Sequence, residues 1–347
     1  MNFSKILLQW YSLNKRDLPW RQTKNPYFIW LSEIILQQTR VEQGISYYLK
    51  FICEFPTLHY LAKANQDKVL KLWQGLGYYS RARNLHYSAK YILKYYDGNF
   101  PKTYKDILSL KGVGSYTAAA IASFAYDLPY AVVDGNVVRV LSRVFGMQFT
   151  FETALGKKEF HRLALDLLNK DNPAENNQAI MEFGALQCTP KSPKCHSCPF
   201  ISSCFAYSTR SIERLPVKLK KIKIKKRYIN YLLIQKDNFV VLDKRNNGIW
   251  KGLYELPNIE FSNQQTEQAV LLSFKWVQFF KSTKYKIELV SDEYIHKLSH
   301  QHIYAKFWLI NVQTCNINNQ SFIEKSKLKN YPVSKLMDKF FKEYNII

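Results

Sequence analysis

No run of about 18 apolar residues occurs anywhere in this 347-residue sequence, so no membrane-spanning helix is expected. The first ten residues, Met1 to Trp10, are too short and too polar for a signal peptide and read as a short amphipathic helix. No long low-complexity tract interrupts the chain, and 47% hydrophobic residues suffice for buried cores. Acidic residues are scarce: 27 Asp and Glu stand against 50 Lys and Arg, a formal charge of +23. The excess is spread, with 25 basic and 15 acidic residues in 1–208 and 25 and 12 in 209–347. A basic surface on both halves favours a polyanionic ligand, because each neutralised phosphate releases counterions. Cysteine is also sparse. Four of the six cysteines fall within Cys188–Cys204, leaving Cys53 and Cys315 isolated. That is no disulfide framework; it indicates a reduced intracellular, cytoplasmic protein with one metal site.

Alternating strand patterns are missing before residue 227, so the first 205 residues read as all-helical. Apolar residues recur at helical spacing through 27–55, broken at Gln37-Gln38-Thr39. Pro56 introduces a short helix, and Lys68–Trp73 forms another, ended by Gly75-Leu76-Gly77. Further helices are expected over Arg81–Tyr96, Thr103–Leu108, Ser115–Tyr126, Glu159–Leu168 and Ala174–Leu186, and from Asp134 to about Phe145. Lysine and arginine crowd 210–227, a basic linker that is either a solvated charge run or a phosphate contact. Beyond it, Tyr228–Ile234 and Phe239–Asp243 read as paired strands, Ile303–Leu309 as a strand and Lys335–Tyr344 as a helix. Two domains are expected: a helical one over 1–209 and an α+β one over 228–347.

Four features carry chemistry. Lys111-Gly112-Val113-Gly114 sits between two helical patterns, and two glycines there allow a tight turn whose N–H groups face outward as an anion site. This resembles a helix-hairpin-helix motif, which grips DNA phosphate without reading sequence. Asp134 lies twenty residues after Gly114, where it can cap a helix. Glu33 lies inside an apolar helical run; lining an apolar pocket would raise its pKa and let it carry a proton near neutrality. Two carboxylates in different environments suit hydrolysis through an oxocarbenium ion. Finally, Cys188, Cys195, Cys198 and Cys204, with six, two and five residues between them, can wrap one metal centre, and zinc accepts such a set.

The 6-2-5 spacing resembles the [4Fe–4S] loop of the endonuclease III superfamily of base-excision glycosylases. Leu31-Ser32-Glu33 with Leu36-Gln37-Gln38-Thr39, Trp73 to Leu85 and Asp134-Gly135-Asn136-Val137 resemble the MutY family of adenine glycosylases. The resemblance covers nearly all of 15–205 and continues more weakly beyond. It implies a monofunctional enzyme, acting as a monomer on double-stranded DNA with adenine opposite 8-oxoguanine or guanine, and nucleoid-associated in a bacterium. Glu33 would protonate adenine N7 and later help water attack. Asp134 would stabilise the cation or a covalent intermediate, with Tyr116 and Asn136 assisting. Gln38 and Tyr78 would wedge into the duplex, with Thr39, Arg81 and the hairpin Lys111, Gly112, Val113 and Gly114 contacting DNA. Lys111 stands where the family usually has proline. Endonuclease III-like lyases carry a Schiff-base lysine where this sequence has Tyr116. Gly248 to Pro257 and His296 to His302 resemble the family's Nudix-like C-terminal domain. The Arg-Glu-x-x-Glu-Glu helix of nucleotide hydrolases is missing between 228 and 347, which speaks against nucleotide hydrolysis. The family's lesion-sensing Phe-Ser-His loop reads Leu298-Ser299-His300 here.

Overall fold

The computed structural model describes residues 2–219, 224–281, 283–313 and 322–346. Cys315 and the basic residues Lys220, Lys221 and Lys223 lie outside them. The chain divides into two compact units: Met1–Lys63 with Asn84–Lys220, and Ala64–Arg83 with Lys221–Ile347.

The helices of the first half are α1 (Phe3–Asn14), α2 (Pro26–Leu36), α3 (Val41–Glu54), α4 (Leu58–Lys63), α5 (Gln66–Leu72), α6 (Ser80–Tyr95), α7 (Tyr104–Ser109), α8 (Ser115–Tyr126), α9 (Gly135–Phe145), α10 (Ala154–Asp166), α11 (Pro173–Leu186) and α12 (Phe205–Ser208). Local chemistry sets their ends. Asn25 caps α2 just before Pro26, Thr103 caps α7, and Gly146 closes α9 in the left-handed region. In the first unit, α8 presents buried Ala118, Ala119, Ala120 and Ala122, and these small residues let α2 and α11 pack closely on it. A core of Phe3 and Leu7 from α1, Val140 and Leu141 from α9, Phe160 and Phe183 joins α1 to the region after α11. There Phe3 stacks on Phe200 at 4.8 Å between ring centres.

The second unit is built on a mixed sheet. Its strands are β1 (Lys225–Lys236), β2 (Phe239–Val241), β5 (Asn258–Phe261), β6 (Tyr285–Val290), β7 (Tyr294–Lys297), β8 (Gln301–Val312) and β9 (Phe322–Glu324). The order is β6-β8-β1-β2-β9, with β5 beside β1 and β7 beside β8. β1 runs parallel to β8 and antiparallel to β2 and β5. Residues Ile229 to Ile234 of β1 are buried on both faces, as a central strand requires. Tyr231 and Leu233 meet Phe340 of α15 (Lys335–Glu343), whereas Leu232 and Ile234 meet Trp276 of α14 (Phe274–Phe280). The expected strand Phe239–Asp243 is split. Its first part, β2, pairs with β1, whereas Asp243 begins β3 (Asp243–Lys244), which pairs with β4 (Tyr254–Glu255). A short helix α13 (Glu267–Leu271) precedes α14.

Residues 64–83 belong to this second unit. Gln74 Nε2 donates to Asp338 Oδ1 at 3.1 Å, and Gln74 Oε1 accepts from the Val333 amide at 3.2 Å. Lys71 Nζ donates to the Tyr331 carbonyl at 3.1 Å. Lys244 and Tyr254 both hold Asp67, at 2.6 and 3.1 Å.

Candidate functional site

The first unit brings Glu33, Tyr116, Asp134 and Asn136 onto one cavity of about 410 Å³, which Gln38 and Thr39 also line. Glu33 projects from α2 and is 6% exposed. Burial pushes its carboxyl up to about 7, the nearby Asp134 adds to the shift, and a hydrogen bond with Tyr116 opposes it. The side chain is therefore a proton carrier poised near neutrality. Tyr116, on the first turn of α8, has its hydroxyl pushed well above the usual phenol range by burial and by the Glu33 charge.

Asp134 differs in its surroundings. As the cap of α9, its Oδ1 accepts from the amides of Asn136 and Val137, both at 2.8 Å, while Asn136 Nδ2 donates to Oδ2 at 2.7 Å. Burial raises its pKa, but these donors and Arg139 act to keep it ionised. Arg139 Nη2 donates to Asn136 Oδ1 and to the Gly184 carbonyl, both at 2.7 Å, and its Nε donates to the Cys188 carbonyl at 2.7 Å. Gly184 permits that approach, since a Cβ there would lie 2.7 Å from Asn136 Cβ.

The cavity contains groups that sequence reasoning overlooked. Arg16, Trp20, Arg21, Gln178 and Glu182 line it as well. Burial would raise the Glu182 carboxyl, yet hydrogen bonds from Arg16 and Arg21 outweigh that and hold it near 2. The signal was legible: Glu182 sits between Met181 and Phe183 in an apolar helical pattern, as Glu33 does in α2.

The hairpin lies between α7 and α8. Gly112 adopts φ +86°, and a Cβ there would come within 2.7 Å of Asn84 Cβ. Val113 is buried and anchors the turn, while Lys111 is exposed, its ammonium 4.6 Å from the centre of the Tyr87 ring. Gly114 caps α8 with no side chain, so the first amides of that helix receive no side-chain acceptor from the cap. Gly112→Ala is expected to cost about 2 kcal/mol from the left-handed backbone and the Asn84 contact, read as a lower urea midpoint at unchanged slope.

In the second unit, Tyr78 (φ +46°, half exposed) places its hydroxyl 3.0 Å from Ser299 Oγ. Ser299 lies in the turn Leu298-Ser299-His300 between β7 and β8, closed by the Leu298 amide donating to the Gln301 carbonyl at 2.8 Å. These residues, with Trp250 and Arg83, line a cavity of about 340 Å³. Arg81 is buried, lies over the Trp73 ring and donates to the Leu76 and Gly77 carbonyls, in the turn that carries Tyr78.

The four cysteines follow α11. Burial raises the thiols of Cys195, Cys198 (to about 11) and Cys204, and each feels the charge of others in the set. Arg143 Nη1 donates to Cys188 Sγ at 3.6 Å and to the Thr189 carbonyl at 2.7 Å, and the Cys204 thiol donates to the Arg143 carbonyl at 3.3 Å. The donor chemistry, four soft sulfurs with N–H groups aimed at them, suits a thiolate-bound centre. As the side chains stand, no group of three or more His, Cys, Asp or Glu among the described residues is placed to hold a metal ion. That covers the cysteine set. Among the described residues, no helix is long and apolar enough to cross a membrane.

Residues 31–163 match the family described as HhH-GPD superfamily base excision DNA repair protein, and residues 230–343 match a NUDIX domain. The fold and the two-carboxylate cavity thus define a helix-hairpin-helix DNA glycosylase with a Nudix-like C-terminal region. An adenine DNA glycosylase of Buchnera aphidicola subsp. Baizongia pistaciae is 38% identical over 316 residues, 89% of this chain and 86% of that one. The chain belongs to the adenine DNA glycosylase family. Among solved structures, a thermostable thymine-DNA glycosylase is 32% identical with a TM-score of 0.56, over 60% of this chain and 95% of that one. Endonuclease III in a non-covalent DNA complex, at 20% identity and a TM-score of 0.53 over 60% of this chain and 94% of that one, has the same fold.

Proposed function

We propose that this chain removes adenine from duplex DNA where it lies opposite 8-oxoguanine or guanine, by hydrolysis and without lyase chemistry. The observation that supports this best is the pairing of carboxyls in one cavity: burial raises Glu33 to about 7, and Asp134, also raised by burial, accepts three hydrogen bonds that favour its charged form. The adenine leaves the stack, since a stacked base cannot be reached. Glu33 gives its proton to N7, the C1′–N9 bond lengthens, and Asp134 faces the developing oxocarbenium ion. Glu33, now a carboxylate, takes a proton from the attacking water. Tyr116 orients Glu33, and Asn136 orients Asp134. Tyr116 carries a phenol and no amine, so it cannot form a Schiff base, which favours the monofunctional route.

The exposed hairpin supports phosphate contact by Lys111 and the free amides of α8. Gln38 and Tyr78 act as wedges in the duplex. Tyr78 and Ser299, already hydrogen-bonded to each other, form a polar pair suited to the N7–H that distinguishes oxidised guanine, with His300 adjacent. Leu298 supplies bulk but no aromatic face. The four cysteines are proposed to bind a [4Fe–4S] cluster, which would pin the loop carrying Lys191 and Lys194; iron and sulfide analysis of the purified protein checks it.

The test is single-turnover cleavage of duplexes with adenine opposite 8-oxoguanine, guanine, cytosine and thymine, run with borohydride trapping. Fastest cleavage opposite 8-oxoguanine and no trapped adduct in high yield are expected. Equal rates on all four, or abundant adduct, would reject the reading. Ser299→Ala is expected to narrow the preference for 8-oxoguanine over guanine by about tenfold, the value of one lost hydrogen bond to a polar group.

A further inference from the structure

Behind the cavity of Glu33 and Asp134 lies a second one, about 720 Å³, bounded by the segment Lys15 to Lys24 and the start of α11. Arg16, Trp20, Arg21 and Gln178 line both. Facing the second cavity alone are buried aromatics, Tyr11 and Phe124, and polar groups, among them Thr23 and Asn172. Charged and polar groups dominate the lining, Asp17, Lys24, Asp127 and Glu175 among them, while Tyr11, Trp20 and Phe124 supply aromatic faces, so a planar base can stack on the rings while its edge hydrogen-bonds.

Arg21, one of the four residues that line both cavities, ties its own segment to α11 through its guanidinium. Arg21 Nε donates to Gln178 Oε1 at 3.1 Å, Nη1 to the Arg16 carbonyl at 3.0 Å, and the two terminal nitrogens to Glu182 at 3.1 and 2.8 Å. Withdrawing Arg21 does not strand the buried Glu182 carboxylate. Arg16 holds it independently through its amide at 2.9 Å, Nε at 2.9 Å and Nη2 at 2.7 Å. In this same position the Arg21 guanidinium carbon lies 5.7 Å from the centre of the Tyr11 ring, which lines the second cavity. One arm of this clamp is fixed, and the other is dispensable for neutralising the charge.

We infer that the second cavity receives the excised purine, with Arg21 as the gate between it and the cleavage site. This rests on the function proposed above. When the C1′–N9 bond breaks, its electron pair stays with the base, N7 has taken the Glu33 proton, and the water oxygen joins C1′. The leaving group is neutral adenine, which a cationic gate does not trap. The nucleotide enters from the duplex, and its sugar and phosphates close the way behind it. A base leaving by that way must wait for the DNA, whereas a base passing Arg21 need not.

The test follows base and DNA separately, using the full chain in excess over a duplex with radiolabelled adenine opposite 8-oxoguanine. Alkaline strand scission reports bond breakage, label passing a small-pore filter reports base release, and a fluorophore on the duplex reports DNA departure. In the unaltered protein, base release is expected to precede DNA departure. Thr23→Trp and Ala174→Trp, which fill the second cavity from two separate segments and do not line the first, should leave scission unchanged and slow base release by about tenfold or more. With normal scission, base release that coincides with DNA departure, or is unslowed in both filled variants, overturns the exit alone. Loss of scission in the unaltered protein overturns the function and the exit with it.

Discussion

Glu33→Gln is expected to slow single-turnover adenine release by about 10³-fold or more, within the ~10²–10⁴ supplied by a positioned general acid, while duplex binding persists. Glutamine matches the volume of glutamate and can still meet the Tyr116 hydroxyl, but it has no proton to give at N7. Normal cleavage by this variant would remove Glu33 from the mechanism. The unaltered enzyme carries the same signature in its pH profile. Burial sets the Glu33 carboxyl at about 7, so the competent protonated fraction is nearly complete well below that pH. It falls about tenfold per unit above it, and the rate should follow.

The same group marks stability. Glu33 has a folded pKa of about 7 against an ordinary 4.5. Between those values the folded chain holds the proton and the unfolded chain has lost it, so stability falls as pH rises through this window. The penalty is absent below the window and complete above it. Glu33→Gln removes it, so at about pH 8 the variant should exceed the parent by up to about 3 kcal/mol. The gap should close towards about pH 4.5, as thermal unfolding at the two pH values would reveal.

Asp134→Asn should be equally damaging to rate, about 10³-fold or more, in line with loss of a group aimed at developing charge. It should do so with little effect on folding. Asparagine is as good a helix cap as aspartate, so its Oδ1 can still accept from the Asn136 and Val137 amides. What is lost is the negative charge beside the cation, together with the acceptor for Asn136 Nδ2. Circular dichroism and urea midpoints near those of the parent, combined with lost cleavage, are the expected pattern. A destabilised variant with proportionate activity loss would reduce Asp134 to a cap.

How much of this was legible beforehand depended on whether the signal was local. Asp134 as a cap, the two helices around Gly112 and Gly114, and the break at Gln37 to Thr39 follow from side chains acting on their own backbone, which spacing records. Glu33 was legible because a carboxylate in an apolar helix demands an explanation. Glu182 makes the same demand in α11 and was passed over, since its answer, Arg16 and Arg21, lies about 160 residues away in sequence. Arg81 shows the same limit: its packing over Trp73 and its bonds to the Leu76 and Gly77 carbonyls cannot be read from spacing. Strands β5 (Asn258-Ile259-Glu260-Phe261) and β6 (Tyr285 to Leu289) do alternate polar and apolar residues, but at four and six residues their patterns are too short to stand out from the loops around them.

The segment 64–83 has a consequence for how the chain is made. It is synthesised some 260 residues before its hydrogen-bonding partners Tyr331, Val333 and Asp338. Until those arrive, the contacts of Gln74 and Lys71 with them cannot form, and the loop ending at Tyr78 has no Ser299 to meet. Contacts spanning some 260 residues are slow to close and leave apolar surface waiting. A ribosome would release the late strands of this protein into the keeping of a segment it had made long before, and cutting the chain at the basic linker would separate two parts of one folding unit.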